Sequence, residues 1–345
     1  MEPEVVLPAV RHLAGRSRVG LLTVGRGGRL DAVLAVSWPL SVPVGRGLLP
    51  APVPVLQAWV EPFSPLGTPL LDADDPVEAM AALLRPPPSL PATALFLRYF
   101  GDDGPVAAAM DEALARRGQR ALRTKTYQRA LLLRDGSPPP TKNRKNRHNR
   151  LRRHRQAMEE ALGPVRVVDR AEDPSAIEEF LALEFSGWKG RSGTALASRN
   201  ADAAWFRETC AGLRAAGRLE VLALEAGGRT AAMWCDFAGG GGSWHYKSAY
   251  DETLKEFRPG EQLVGYCVEA MPGGRYAWRD SATVPHNTLF NQFWPSRRTL
   301  STVLAPLRGP AGDATLAVAD RIWKLRRGRD GTTDPTHADA GTVAR

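Results

Sequence analysis

The chain has 345 residues, 43% of them hydrophobic, and a net charge of +9, which is enough chain for two domains with substantial cores. Its three cysteines lie far apart and no Cys/His cluster is present, so the sequence predicts neither a disulfide framework nor a metal site. No apolar run reaches the ~18 residues of a membrane span, and the acidic, weakly apolar N-terminus is not typical of a signal peptide, so we expect a cytoplasmic protein.

The first half of the chain alternates between apolar strand patterns and helical patterns. Glycines between the first two strands indicate a tight hairpin turn, and Asp75 followed by Pro76 is typical of a helix start. The predicted strands lie at 18–24, 30–38, 53–60, 92–100 and 129–134, and the predicted helices at 75–85 and 104–118.

A basic segment, residues 142–155, carries eight Lys or Arg and two His but no acid. Without it the chain is nearly neutral, so the net charge alone does not argue for nucleic-acid binding. We predict a helix over 147–162 whose basic start and acidic end oppose the helix dipole, so it needs a partner or tertiary packing. The segment is open to three interpretations: a solvated linker helix, a wall of a cleft between domains that holds an anionic ligand, or a nucleic-acid contact surface.

The second half repeats the alternation and places three strands in a row. The third of them, "SWHYKSAYD", alternates so that Trp244, Tyr246, Ser248 and Tyr250 share one face. The predicted strands lie at 165–168, 218–226, 229–238, 243–251, 275–280 and 299–306, and the predicted helices at 173–186, 201–217, 260–271, 288–294 and 313–328. We expect a disordered tail at 328–345, because it has little apolar surface to bury.

Three stretches carry a family resemblance: "EFSGWKGRSGTAL" at 184–196, "YKSAYDETLKEFRPGEQL" at 246–263 and "RDSATVPHNTLFNQFWPSRRTL" at 279–300. With three antiparallel strands before a strand–turn–helix–strand unit, they resemble GNAT-type acetyltransferases of the cellulose-biosynthesis type, which are related to Fem-type aminoacyltransferases. "FSPLGTPLLD" at 63–72 loosely resembles the N-terminal domain of that family.

The resemblance implies an α/β (α+β) fold with two GNAT-like domains, each a mostly antiparallel mixed sheet flanked by helices. We predict a divergent GNAT-like domain at 1–140, a basic linker helix at 141–163 and an acetyltransferase domain at 164–327.

The resemblance also implies an N- or O-acyltransferase that uses acetyl-CoA or another acyl-CoA as donor, with the thioester between two splayed strands and the diphosphate at the next helix start. A helix start is an anion site because its N–H groups lack partners. The expected coenzyme-binding residues are Arg258, Pro259, Gly260, Glu261 and Gln262.

Acyl transfer to an amine needs a base and donors for the developing oxyanion. Asp280 and His286 form a candidate proton relay, or only a structural hydrogen bond. For an anionic substrate or ligand we expect Arg150, Arg152, Arg153, Trp188, Lys189 and Arg298. The candidate catalytic side chains are Tyr250 as acid or oxyanion donor, Asp251 as base, and Tyr246, Lys247, Glu184, Asp280 and His286.

The acceptor implied by the resemblance is a sugar or another cell-envelope precursor, such as one used in polysaccharide biosynthesis. A transferase that depends on aminoacyl-tRNA, and a non-catalytic accessory protein of exopolysaccharide synthesis, remain the alternatives.

Overall fold

A computed structural model of the chain describes residues 2–15, 17–38, 43–44, 47–48, 55–136 and 141–329. The predicted tail therefore falls outside these ranges from residue 330 on. The α-helices are α1 (Pro3–His12), α2 (Pro76–Leu83), α3 (Pro105–Ala115), α4 (Lys142–Leu162), α5 (Ser175–Ser186), α6 (Trp188–Arg191), α7 (Asn200–Ala215), α8 (Pro259–Ala270), α9 (Thr288–Phe293) and α10 (Gly309–Arg329). Two 3₁₀ helices span Leu196–Ser198 and Glu252–Phe257.

The strands are, in chain order, β1 (Arg18–Arg26), β2 (Arg29–Trp38), β3 (Pro43–Val44), β4 (Gly47–Leu48), β5 (Val55–Ala58), β6 (Leu70–Leu71), β7 (Ala94–Gly101), β8 (Leu122–Leu133), β9 (Val165–Asp169), β10 (Leu219–Ala226), β11 (Arg229–Gly239), β12 (Gly242–Tyr250), β13 (Trp278–Asp280) and β14 (Ser296–Pro306). The predicted fold class is confirmed, since most recorded strand pairs are antiparallel and helices flank the sheet.

The described chain divides into two compact units. Unit 1 contains residues 14–128 and 298–329, and unit 2 contains residues 2–13 and 129–297. Strand pairing and helix packing join distant parts of the chain within each unit, and the predicted domain boundaries stay a prediction. Strand β14 pairs with β7 in unit 1, whereas α1 packs on α7 in unit 2.

Unit 1 orders its strands β1-β2-β5-β7-β14, followed by the first part of β8. Its strands β5 and β7 pair in parallel and its helices α2 and α3 cover an apolar core that includes Leu56, Met80 and Phe100. Asp75 caps α2 by accepting the N–H of Glu78, as the sequence indicates.

Unit 2 orders its strands β8-β13-β12-β11-β10-β9, beginning with the last part of β8. Leu151 and Met158 of α4 join the core that α8 and α9 form with the sheet. This packing supplies the support that the charge order of α4 requires. The helix starts at Lys142, ahead of the predicted start, because Thr141 caps it by accepting the N–H of Arg144.

Strands β12 and β13 part after a short parallel contact. Their recorded pairing runs from Gly242–Trp278 to Trp244–Asp280, whereas β12 continues to Tyr250. The last part of β12 therefore has one edge turned away from β13.

A β-bulge in β12 changes which face its side chains occupy. Cys235 pairs with Lys247 and the next residue, Asp236, pairs with His245, so Tyr246 has no opposite residue. Tyr246 stacks on Phe237 on the α7 side, whereas Tyr250 packs with the α8 core. The expectation that Tyr246 and Tyr250 share a face is therefore wrong, because strict alternation assumed an unbroken strand.

No helix within the described ranges has both the length and the apolar character that a bilayer span requires. The cytoplasmic location stays a prediction.

Candidate active site in unit 2

A cleft of about 370 Å³ opens where the free end of β12 meets the start of α8. Its lining includes the predicted residues Glu184, Trp188, Lys189, Tyr250, Arg258, Pro259, Gly260 and Glu261. Ser248, Lys255 and Leu289 also line it, although the sequence did not predict them as site residues. Candidate catalytic and coenzyme-binding side chains that are far apart in sequence are thus brought into one cleft.

The start of α8 is built by a tight turn. Arg258 adopts a left-handed backbone conformation (φ 52°, ψ 50°) that non-glycine residues rarely take, and Pro259 follows at the first helical position. The first helical hydrogen bond runs from the N–H of Gln262 to the carbonyl of Arg258 at 3.1 Å. The N–H groups of Gly260 and Glu261 precede it, so they have no partner within the helix.

Gly260 leaves this helix start open. A Cβ atom added there would meet only Cδ1 of Tyr250, at 3.7 Å, which is an ordinary contact. Glu261 sits in the same turn, where its carboxylate accepts from Arg258 at 2.6 Å and lies 3.8 Å from Arg150 of α4. The side-chain amide of Gln262 is buried and donates to the carbonyl of Phe257, which is a structural role.

Glu184 is a buried carboxylate at the end of α5. Its Oε1 lies 2.8 Å from Nζ of Lys247 and 3.3 Å from Nζ of Lys189. Its Oε2 accepts a hydrogen bond from the backbone N–H of Leu196 at 2.8 Å. Nζ of Lys189 also donates to the carbonyl of Ser248 at 2.6 Å. Because both oxygens of Glu184 are engaged, this carboxylate is poorly placed to take a proton from an acceptor.

The segment that carries Trp188 and Lys189 is held in place by Glu252. Its carboxylate accepts the N–H of Trp188 at 2.6 Å and the guanidinium of Arg191 at 2.6 Å. A Cβ at Gly190 would collide with the carbonyl of Phe185 at 1.7 Å, so this close turn requires glycine. The indole of Trp188 is 52% exposed at the rim of the cleft.

Asp251 caps the 3₁₀ helix that follows β12. It accepts the N–H of Thr253 at 2.9 Å and forms an ion pair with Arg229. Burial alone would raise the pKa of Asp251, but the hydrogen bonds from Thr253 and the charge of Arg229 outweigh it and lower that pKa. A carboxylate with a lowered pKa is a weak base.

The remaining predicted residues are not among those that line the cleft. The carboxylate of Asp280 is buried against the guanidinium of Arg129 at 2.6 Å, whereas His286 is exposed, so a relay between Asp280 and His286 stays a prediction. Arg298 is the first residue of the second segment of unit 1. Arg152 and Arg153 are exposed on α4.

A buried polar network, which the sequence did not predict, lies where β12 and β13 pair. Asp236 accepts from Arg279 at 2.7 Å and from Ser243 at 2.9 Å, and lies 3.2 Å from Nδ1 of His245. Burial lowers the pKa of His245, which its contact with Asp236 offsets only in part. The available signal was a charged residue inside each of two apolar strands, Glu220 in β10 and Asp236 in β11.

Among the described residues, no group of three or more His, Cys, Asp and Glu is arranged to hold a metal ion.

Comparisons with known proteins agree with the resemblance to acetyltransferases. Residues 145–280 match the family model described as an acetyltransferase (GNAT) domain. A search of curated proteins finds no match.

Several solved structures are similar. One is a conserved protein of unknown function from Bacteroides thetaiotaomicron VPI-5482, with 12% identity, 89% of this chain and 91% of that chain covered, and a TM-score of 0.51. FemX matches with 12% identity, 85% and 89% coverage and a TM-score of 0.52. A tandem GNAT protein from the clavulanic acid biosynthesis pathway matches with 13% identity, 89% coverage of both chains and a TM-score of 0.35. Residues 145–280 thus resemble a GNAT acetyltransferase domain, set in a chain whose fold is similar to that of FemX.

Proposed function

We propose that this protein is an acyltransferase that moves an acyl group from coenzyme A to an amine or hydroxyl group of a sugar or another cell-envelope precursor. One observation carries the proposal: the free end of β12, Ser248–Tyr250, and the start of α8, Pro259–Glu261, line the same cleft. The first offers an edge for the thioester, and the second offers an anion site for the diphosphate.

The start of α8 fits a diphosphate in three ways. Its unpaired N–H groups and helix dipole favour an anion. Gly260 leaves the backbone accessible, and Arg258 and Lys255 bring positive charge to the cleft. The negative charge of Glu261 repels an anion here. On binding, the diphosphate therefore replaces the Glu261 carboxylate as the partner of the Arg258 guanidinium.

The edge of β12 supports a position for the acyl carbonyl. In an antiparallel ladder the N–H and C=O of one residue point to the same edge of the strand. Since the carbonyl of Ser248 accepts from Lys189 in the cleft, the N–H of Ser248 opens onto the same side. A fixed backbone donor there suits the oxyanion that develops as the acceptor attacks the thioester.

Tyr250 is our candidate for the acid that protonates the leaving thiolate. Its side chain lines the cleft beside Gly260, between the strand edge and the phosphate site. Asp251 is less suited to a catalytic role than the sequence indicates, because Thr253 and Arg229 engage its carboxylate.

The proposed class of acceptor is supported only by the residues at the rim of the cleft. The half-exposed indole of Trp188 presents an apolar aromatic face, with Leu183 and Leu289 nearby. Such a face is suited to packing against a sugar ring or another flat, partly apolar group.

A second candidate is a transferase that takes its acyl group from aminoacyl-tRNA. The exposed basic residues Arg152 and Arg153 on α4, with Arg150 near the start of α8, favour a phosphate-rich ligand. RNA that copurifies with the protein and is lost at high salt would support this candidate.

The experiment that tests the proposed function measures thiol release from acetyl-CoA in the presence of pools of amino sugars and nucleotide sugars. The full-length protein is compared with Tyr250→Phe. We expect thiol release that depends on one acceptor pool and falls strongly in the variant. Thiol release equal to the protein-free rate with every pool, and with longer acyl-CoAs, would contradict acyl-CoA-dependent transfer.

A further inference from the structure

Two lysines share a single carboxylate oxygen at the wall of the cleft. Nζ of Lys247 and Nζ of Lys189 lie 2.8 Å and 3.3 Å from Oε1 of Glu184, and the side chain of Glu184 is fully buried. When both lysines are protonated, the group holds two positive charges and one negative charge. A surplus charge that is partly removed from water favours the loss of one proton from this group.

The geometry indicates which lysine gives up its proton. Lys247 is nearer to the carboxylate and also donates to the carbonyl of Thr194. Lys189 has the longer ion pair and lines the cleft. Burial lowers the pKa of Lys189, the charge of Lys247 lowers it further, and Glu184 offsets only part of this.

Other titratable and charged groups lie around this cleft wall and enter the same balance. They are Glu184 on α5, Arg191 on α6, which pairs with Glu252, Asp202 on α7, which interacts with Lys247, His245, Lys247 and Tyr250 on β12, Glu252 and Lys255 on the second 3₁₀ helix, and Arg258 and Glu261 at the start of α8. Because His245 is buried and its pKa is lowered, it adds little positive charge near neutral pH.

Lys189 also lies where the proposed function puts the thioester. Its Nζ donates to the carbonyl of Ser248 at 2.6 Å, on the edge of β12 that opens into the cleft. An amine at this edge is within the space that the acyl carbon has to enter. Lys255 lines the same cleft but is exposed, and Glu184 pairs with Lys189 and Lys247 instead, so Lys255 is a natural comparison.

We propose that Lys189 is a self-acylation site: in the absence of an external acceptor it takes the acyl group from the coenzyme bound in the cleft. This inference rests on the proposed function. The neutral Nζ attacks the thioester carbon, a C–N bond forms and the C–S bond breaks. The departing sulfur takes up the proton that the nitrogen loses, so the products are an N-acyl-lysine and free coenzyme A.

Acylation of Lys189 removes the surplus charge and leaves Lys247 and Glu184 as a balanced pair. It also places an acyl group against Ser248, where the next donor has to bind. The modified protein is therefore expected to transfer acyl groups to an external acceptor more slowly than the unmodified protein.

The test incubates the full-length protein with acetyl-CoA over a series of pH values and follows it by intact mass and peptide mapping. We expect one acetyl group, at Lys189, formed faster as pH rises, because the neutral fraction of an amine grows about tenfold per pH unit below its pKa. Lys189→Arg keeps the charge and should lose the modification. Lys324→Arg, at an exposed lysine of α10 that does not line the cleft, should retain it.

Lys247→Met supplies an independent check, because a purely structural role of Lys189 would not predict a shift in the pH profile of acetylation. Removing the neighbouring positive charge raises the pKa of Lys189, so acetylation should need a higher pH than in the native protein. It also provides the test if Lys189→Arg fails to fold. An unshifted pH profile in a folded Lys247→Met protein would overturn the assignment.

Calorimetry with acetyl-CoA on the same samples separates this inference from the proposed function. Binding without acetylation of Lys189 overturns the inference alone. Absence of binding overturns both, because the donor then does not occupy the cleft. Equal acetylation of Lys189 and Lys255 would mean that acetyl-CoA modifies accessible lysines without selectivity, and this result also overturns the inference.

Discussion

Nζ of Lys247 lies 2.8 Å from Oε1 of Glu184, which joins the bulged strand β12 to the end of α5 beneath the cleft. We predict that Glu184→Gln destabilises the protein by about 3 kcal/mol, because it leaves two partly buried lysines without a counter-charge. Urea unfolding measures this change. Glu160→Gln on an exposed position of α4 is the matched control and should cost less than about 0.5 kcal/mol. Equal stability of the two variants would show that the pair is not a structural requirement.

Two glycines of α8 should respond differently to replacement by valine. Gly260→Val should fold normally but bind acetyl-CoA weakly, since its added atoms face an open helix start. Gly265→Val should instead impair folding, because a Cβ there would lie 2.8 Å from Cδ1 of Leu151 in α4. Thermal melting and calorimetry separate these effects, and a Gly260→Val protein with native affinity would contradict the phosphate site.

The two tyrosines of β12 provide a matched pair for catalysis. Tyr250→Phe should reduce turnover by on the order of 10² without loss of stability, because it removes a hydroxyl from the cleft. Tyr246→Phe should leave turnover within a few-fold of native, since that ring stacks on Phe237 on the other face. The opposite result would mean that the α7 side holds the reaction centre.

Basic residues of α4 should divide into structural and solvent-exposed groups. Arg155 donates to the carbonyl of Val165 at 2.8 Å, so Arg155→Gln should cost about 1 kcal/mol of stability. Arg152→Gln should change stability by less than about 0.5 kcal/mol, because its side chain is exposed. Urea unfolding of each variant distinguishes them. Equal costs would remove the structural role that we assign to Arg155.

A buried carboxyl in unit 1 should make stability fall as pH rises. Burial raises the pKa of Glu61 to about 7, although Phe63 and Ser64 donate to its carboxylate. The folded state then holds a proton that the unfolded state releases near pH 4.5, so stability falls as pH rises from about 4.5 to about 7 and changes little above that. Between pH 5 and pH 8, the free energy of unfolding should fall by up to about 3 kcal/mol more in the native protein than in Glu61→Gln. The same drop in both proteins would contradict this pKa.

The strands from β9 to β13 and the helices α5, α7, α8 and α9 follow from local patterns of apolar residues, glycine and proline, whereas α1 and α6 were not predicted. The bulge at Tyr246 does not, because one extra residue reverses the faces of a strand without any mark in the sequence. The pairing of β14 with β7 and that of Lys247 with Glu184 join residues that are distant in the chain. Such partners are chosen by the fold, so no local pattern reveals them.

The central claim is that the start of α8 and the free edge of β12 together bind an acyl-coenzyme A. Calorimetric titration of the full-length protein with acetyl-CoA, in parallel with Gly260→Val, tests it most directly. We predict binding at one site per chain, and at least about tenfold weaker binding in the variant, since blocked N–H groups lose charge-assisted hydrogen bonds. No binding to the native protein, or equal affinity in a folded variant, would contradict it.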